Sequence, residues 1–132
     1  MKSKKILLRN FLRKIKKNKK VKFVFLFGSH AYGKPAKDSD IDVAIYYDAS
    51  KRERFKALLK LLAEFPGLDL HIFQDLPLYI RKEVLKGKLL FYRNRSFVYD
   101  IAYETIRKWE DFKKYYYDYI DFSLKEQIKR IK

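Results

Sequence analysis

Cysteine is absent from this sequence of 132 residues. Its absence excludes a disulfide-stabilised scaffold and a zinc site built on cysteine thiolates. The sequence also has no apolar run near the ~20 residues that a membrane-spanning helix needs, and its lysine-rich beginning is unlike a secretory signal. Internal repeats and low-complexity linkers are missing as well. We therefore expect a cytoplasmic protein that is not bound to a membrane.

Acidic residues are missing from one part of the chain. The formal net charge is +16, but residues 1–22 carry eleven Lys or Arg and no acid, so the other residues have a net charge of only +5. Such a basic segment attracts nucleic acid, an acidic protein or a membrane surface, and equally it can be a solvated helix face. No nucleic-acid-binding motif accompanies the charge, so nucleic acid is not expected to be the main partner.

Apolar residues make up 48% of the sequence, which rules out a disordered chain, and the length suits one domain with a real core. Hydrophobic periodicity and turn residues predict a helix over 4–17, strands over 21–27 and 41–47, a helix over 51–65, a strand over 68–73, a short helix from 77 to about 87, a strand over 88–92, and one or two helices from about 96 onward. This order predicts an α/β (α+β) fold, a small mixed β-sheet backed by helices. We divide the chain into a basic N-terminal helix (1–20), a core (21–93) and a C-terminal helical segment (94–132), which either belongs to the same domain or binds a partner.

The stretch FGSHAYGKPAKDSDIDVAI, residues 27–45, contains two acids two residues apart at the start of an apolar strand. Alternate residues of a strand share a face, so Asp40 and Asp42 project together, opposite the apolar residues between and after them. Two like charges so close repel each other, and a divalent cation removes the conflict. Magnesium prefers such oxygen ligands together with substrate phosphates.

A third acid, Asp69, interrupts the next apolar strand, GLDLHIF. If this strand pairs beside residues 41–47, Asp69 joins Asp40 and Asp42. Three acids from two neighbouring strands form a two-metal site for an in-line phosphoryl or nucleotidyl displacement. Asp69 therefore completes the predicted metal site.

The turn at Gly28 and Ser29 supplies the other half of the predicted site. Gly28 allows the backbone to approach a ligand closely, amides at such a turn form an anion cradle, and the Ser29 hydroxyl can bond a phosphate oxygen. Each feature alone is more often structural, because Gly-Ser is a common turn and Asp40 can belong to an Asx-turn. Their conjunction favours a site for a nucleoside triphosphate.

Four other polar residues are weaker candidates. His71 shares the face of Asp69 and can touch the nucleotide or acceptor, although a packed or rim histidine is the more common case. His30 can face phosphate or simply occupy the turn. Lys34 and Lys37 precede the acids and can meet a triphosphate, but loop lysines are usually solvated.

Aromatic residues are concentrated in the C-terminal segment. One helical stripe contains Val98, Ala102, Thr105, Trp109, Phe112, Tyr116 and Tyr119, which can pack on the domain itself. Tyr115, Tyr117 and Phe122 lie off that stripe, so one face cannot bury them all. Their number favours a protein interface, either with a partner protein or between copies of this chain.

These motifs resemble the nucleotidyltransferase superfamily related to DNA polymerase beta, and more narrowly its minimal nucleotidyltransferase (MNT) group. The group's pattern of Gly-Ser, ten residues and Asp-x-Asp matches Gly28, Ser29, Asp40 and Asp42, and its third acid matches Asp69. The resemblance covers residues 20–93, including LYIRKEVLKGKLLFYR, and extends more loosely to RKWEDFKKYYYDY.

The resemblance implies an antitoxin that transfers AMP from ATP to a tyrosine of a cognate HEPN toxin, typically a ribonuclease. By analogy Asp40 and Asp42 hold two Mg²⁺ ions on the triphosphate, Asp69 helps to hold the ion nearest the attacking hydroxyl, and Ser29 holds the terminal phosphates. The alternatives are a binding-only antitoxin and a nucleotidyltransferase acting on a small molecule. The short segment after the core makes the small-molecule alternative less favourable, because it cannot form an ordinary second domain.

Overall fold

The computed structural model describes residues 3–28, 31 and 40–131. The helices are α1 (Lys4–Ile15), α2 (Lys51–Glu64), α3 (Leu78–Val84) and α4 (Arg95–Ile131), and the strands are β1 (Val21–Phe27), β2 (Ile41–Tyr47), β3 (Leu68–Ile72) and β4 (Lys88–Tyr92), with a 3-10 turn at Phe73–Asp75. Every predicted helix and strand is present. The helix predicted from about 96 onward is a single unbroken helix.

The four strands form one mixed sheet in the order β3-β2-β1-β4. β2 runs parallel to β3 and antiparallel to β1, and β1 is antiparallel to β4. The parallel pair is connected through α2, as a parallel pair requires a crossover. The predicted α+β class is therefore confirmed, and β2 lies in the sheet interior between β1 and β3.

Helices α1 and α2 cover one face of the sheet. The inward residues of β2 on this face, Ile41, Val43 and Ile45, belong to a buried cluster with Phe11 and Ile15 of α1. Both helices begin at a serine N-cap: Ser3 accepts a hydrogen bond from the backbone N–H of residue 6, and Ser50 accepts one from that of residue 53. This packing buries one face of β2, so the alternate residues of β2 lie on the opposite face of the sheet.

Helices α3 and α4 cover the opposite face. Their cluster is centred on Phe23, Phe25, Ala44, Phe73 and Val84. Asp42 precedes Ala44 by two residues and therefore shares this face. Among the described strand residues this face is apolar along most of the sheet, and its carboxylates lie at the end where β2 and β3 begin.

The 37 residues of α4 pack on the domain only along their first half. The Asn94 side chain accepts a hydrogen bond from the Phe97 backbone N–H at the start of the helix. Trp109 is 5% exposed, and its ring meets that of Tyr79 in α3. Despite the length of α4, no helix within the described ranges is long and apolar enough to cross a bilayer.

The predicted aromatic stripe of α4 is buried over part of its length. Tyr116 stacks on Tyr79 at a centroid distance of 5.7 Å. One turn further, Tyr119 is 68% exposed, because α4 has already passed the beginning of α3, where Tyr79 is the second residue. The predicted exposure of the residues off the stripe is confirmed for Tyr115, Tyr117 and Phe122.

Candidate functional site

The sheet register brings two of the predicted acids side by side. Asp42 is paired with Asp69 across the parallel β2–β3 ladder and with Phe27 across the antiparallel β1–β2 ladder. Side chains directly opposite each other on neighbouring strands point to the same face. The prediction that the strand of Asp69 pairs beside β2 is therefore confirmed, and the two carboxylates are neighbours.

His71 completes a compact polar group with these acids. One ligand atom from each of Asp42, Asp69 and His71 lies within 4.8 Å of the other two. The His71 Nε2 atom is 3.2 Å from Asp69 Oδ1, and the imidazole ring rests against Phe27 at a centroid distance of 5.7 Å. Two carboxylates and one imidazole therefore converge near the end of the sheet where β2 and β3 begin.

The electrostatics of this group favour a bound cation. The pKa of Asp42 is raised to about 6, first because burial disfavours its charged form, and then because Asp69 shares a hydrogen bond with it and repels its charge. Asp40 adds a smaller repulsion, whereas His71 acts in the opposite direction. A cation placed between the carboxylates would cancel this repulsion, and carboxylate oxygens are the ligands that hard divalent ions prefer. The residues present thus fit a divalent metal.

Gly28, at the end of β1, lies directly against the Asp42 carboxylate. It has a φ of +74°, in the left-handed region that favours glycine, and its carbonyl oxygen accepts a hydrogen bond from the Ala31 N–H at 3.1 Å. A Cβ atom at this position would overlap Asp42 Oδ2 and lie 3.3 Å from Asp42 Cγ. Glycine therefore makes room for the Asp42 carboxylate as well as allowing the turn.

The other predicted site residues are not among the three that converge. Asp40 is exposed, lies one residue before β2 and falls outside the group of three that the described residues form. Ser29 and the weaker candidates His30, Lys34 and Lys37 lie outside the described residues. We retain Asp40 and Ser29 as proposed site residues.

The sequence predicts His71 only as a weaker candidate, although its position holds the necessary signal. Asp69 and His71 are two residues apart on a strand, so the alternation that places one on the site face places the other there too. Sequence patterns alone do not separate a rim histidine from one that contacts the acid. The 3.2 Å contact with Asp69 makes that distinction.

Solved structures share this fold over nearly the whole chain. A chain of a toxin–antitoxin complex with AMP-PNP superposes with a TM-score of 0.69 at 21% identity, covering 90% of this chain and 97% of that one. A chain of the complex of a tri-AMPylated Shewanella oneidensis HEPN toxin with MNT antitoxin gives a TM-score of 0.68 at 18% identity, covering 92% and 99%. At these identities the likeness concerns the fold.

Matches by sequence show the family to which this chain belongs. A Methanocaldococcus jannaschii protein assigned as a protein adenylyltransferase is 30% identical over 95 residues, which cover 72% of this chain and 75% of that protein. A second protein of the same organism and assignment is 36% identical over 56 residues, covering 42% and 56%. The family described as Polymerase beta, Nucleotidyltransferase matches residues 10–96, which include the strands and the acidic site. This chain therefore belongs to the polymerase beta nucleotidyltransferase family.

Proposed function

We propose that this chain transfers AMP from ATP to a tyrosine of a HEPN toxin and thereby neutralises it. The observation that carries the proposal is the pair of carboxylates, Asp42 and Asp69, side by side on parallel strands of a nucleotidyltransferase fold. The M. jannaschii relatives assigned as protein adenylyltransferases support a protein acceptor. The fold shared with the MNT–HEPN complex, whose toxin carries AMP groups, supports the choice of partner.

Two magnesium ions are the proposed cofactors. Asp42 and Asp69 would hold them together with Asp40, an exposed residue just before β2 whose charge also raises the pKa of Asp42. Bound ions of this kind neutralise triphosphate charge and promote deprotonation of the attacking hydroxyl. The repulsion between Asp42 and Asp69 in the free protein supports this assignment, because a pair of unused acids would only weaken the fold.

The chain's own residues position the reactants. The Ser29 hydroxyl and the backbone amides near Gly28 would hold the terminal phosphates of ATP. The tyrosine oxygen attacks the α-phosphorus, the bond from that phosphorus to its bridging oxygen breaks, and pyrophosphate leaves. Asp69 lies at the acceptor side in this assignment and assists removal of the tyrosine proton. The protein thus acts by binding and orientation, with one proton transferred.

His71 is expected to orient Asp69. Replacing His71 by alanine removes the contact to Asp69 Oδ1, and loss of such a supporting contact typically reduces metal affinity or activity about 10–100-fold. We expect a higher magnesium concentration for half-maximal rate, with partial recovery in His71→Gln, whose amide nitrogen can reach the position of Nε2. An unchanged magnesium dependence in both variants would contradict this role. Magnesium titrations of the initial rate provide the measurement.

The transferred group can be tested directly. The chain is incubated with magnesium and a co-expressed HEPN protein from the same organism, once with α-labelled ATP and once with γ-labelled ATP. The proposal predicts label on the HEPN protein from α-labelled ATP only. Label from γ-labelled ATP would indicate phosphoryl transfer, and no label despite a stable complex would indicate the alternative of a binding-only antitoxin.

A further inference from the structure

The last part of α4 extends beyond the rest of the domain. Its ring contacts with α3 end at Tyr116, which stacks on Tyr79. Residues 118–131 continue as regular helix for another ~21 Å, at 1.5 Å per residue. No residue in this described stretch is buried. An isolated helix of this length is only marginally stable in water, so a partner helix would stabilise it.

One side of this extension is apolar. A rotation of about 100° per residue places five residues within one narrow band, here called the apolar stripe. The stripe consists of Tyr117, Ile120, Leu124, Ile128 and Ile131, whose exposed fractions are 57, 38, 51, 53 and 84%. Five large side chains exposed in one continuous row form the kind of surface that a helix partner covers.

The spacing of the stripe is symmetric about Leu124. Ile120 and Ile128 lie four residues to either side of it, and Tyr117 and Ile131 lie seven residues to either side. If a second copy of the helix runs antiparallel with Leu124 opposite Leu124, each apolar residue meets an apolar residue of the other copy. A two-fold axis through Leu124 therefore produces a self-complementary contact.

The charges beside the stripe select the same arrangement. One flank carries Asp118 and Asp121 in its first half and Lys125 and Lys129 in its second half. An antiparallel pair places this flank of both copies on the same side of the interface, with the acidic half of one against the basic half of the other. In a parallel pair the two charged flanks lie on opposite sides of the interface, so their charges cannot pair. Lys125 and Asp121 already form an exposed pair within one helix, with Nζ and Oδ2 3.1 Å apart. Exposed pairs of this kind exchange partners at little cost.

We propose that the occupant of the apolar stripe is a second copy of this chain, bound antiparallel about Leu124. The inference is independent of the AMP-transfer proposal, because it rests on α4 alone. Each dimer would then present two copies of the acidic site.

Engineered cysteines test both the pairing and its direction, because the native chain contains no cysteine. Full-length Ile120→Cys and Ile128→Cys variants are oxidised separately and as a mixture. The antiparallel arrangement predicts a disulfide-linked dimer in the mixture only, because residue 120 of one copy faces residue 128 of the other. Self-linked Ile120→Cys would indicate a parallel pair, and absence of any linked product would overturn the proposal.

Point variants give an independent test by light scattering at micromolar concentration. The wild type is expected to have the mass of a dimer and Leu124→Lys that of a monomer, with any loss of helix content by circular dichroism limited to the 118–131 extension of α4. Phe122→Lys is the matched control, because Phe122 is 65% exposed but lies off the stripe, and it should remain a dimer. A monomeric wild type would overturn the proposal, as would a wild type that assembles only when a HEPN protein is added.

Discussion

Replacing Asp42 by asparagine is expected to abolish most AMP transfer. Asp42 shares the acidic group with Asp69, and asparagine removes a negatively charged ligand while retaining the shape of the side chain. Metal-assisted charge stabilisation is worth several kcal/mol in such reactions, and each 1.36 kcal/mol corresponds to a factor of ten in rate. The expected loss is at least about a hundredfold in initial rate, measured by AMP incorporation at saturating magnesium and ATP.

The stability of the same variant distinguishes loss of chemistry from loss of fold. Asp42 is held next to Asp69 at a cost, as its raised pKa indicates, so asparagine removes a repulsion. Without metal, the melting temperature should therefore equal or exceed that of the wild type, and added magnesium should raise it less. Asp48→Asn is the control, because Asp48 is an exposed acid just after β2 and should leave the rate unchanged. A variant with the full wild-type rate would remove Asp42 from the site.

Replacing Gly28 by alanine is expected to have the second largest effect. An alanine with the φ of +74° found here is strained by about 1–2 kcal/mol. In addition, its Cβ would overlap Asp42 Oδ2, so the carboxylate must move. A displacement of about 1 Å in a reacting group can cost roughly a hundredfold in rate. We expect a loss of that order, together with weaker magnesium binding by isothermal titration.

Gly67→Ala is the matched control for this variant. Gly67 also has a positive φ, +105°, but its Cβ would meet the end of the Leu7 side chain at 3.0 Å, away from the acids. Gly67→Ala should lower the melting temperature while its folded fraction retains magnesium binding and AMP transfer. If both glycine variants lose activity in proportion to stability, the role of Gly28 is confined to the backbone turn.

The sheet and two of its acids could be predicted because the local patterns were strong. Alternation within IDVAIYY assigns Asp42 to one face and Ile41, Val43 and Ile45 to the other, and the structure has this arrangement. The pairing of Asp42 with Asp69 required only that β3 lie beside β2. A parallel pair joined by a helix satisfies that condition, as the chain order of strand, helix and strand suggested.

Other features depend on contacts between distant parts of the chain. The role of Gly28 as space for the Asp42 carboxylate follows from the β1–β2 register, which local sequence does not determine. The ring contacts between α3 and α4 extend as far as Tyr116, and how far they extend depends on where α3 begins relative to α4. A periodic pattern indicates which residues share a side but not how far the neighbouring element extends.

The central claim concerns transfer of AMP to a protein by the acidic site, and intact mass spectrometry tests it most directly. A HEPN protein from the same organism is co-expressed with the wild-type chain or with Asp42→Asn and weighed after incubation with ATP and magnesium. The account predicts that its mass increases by a whole number of AMP groups with the wild type and remains unchanged with Asp42→Asn. An unchanged mass with the wild type, in a complex that still forms, would contradict it.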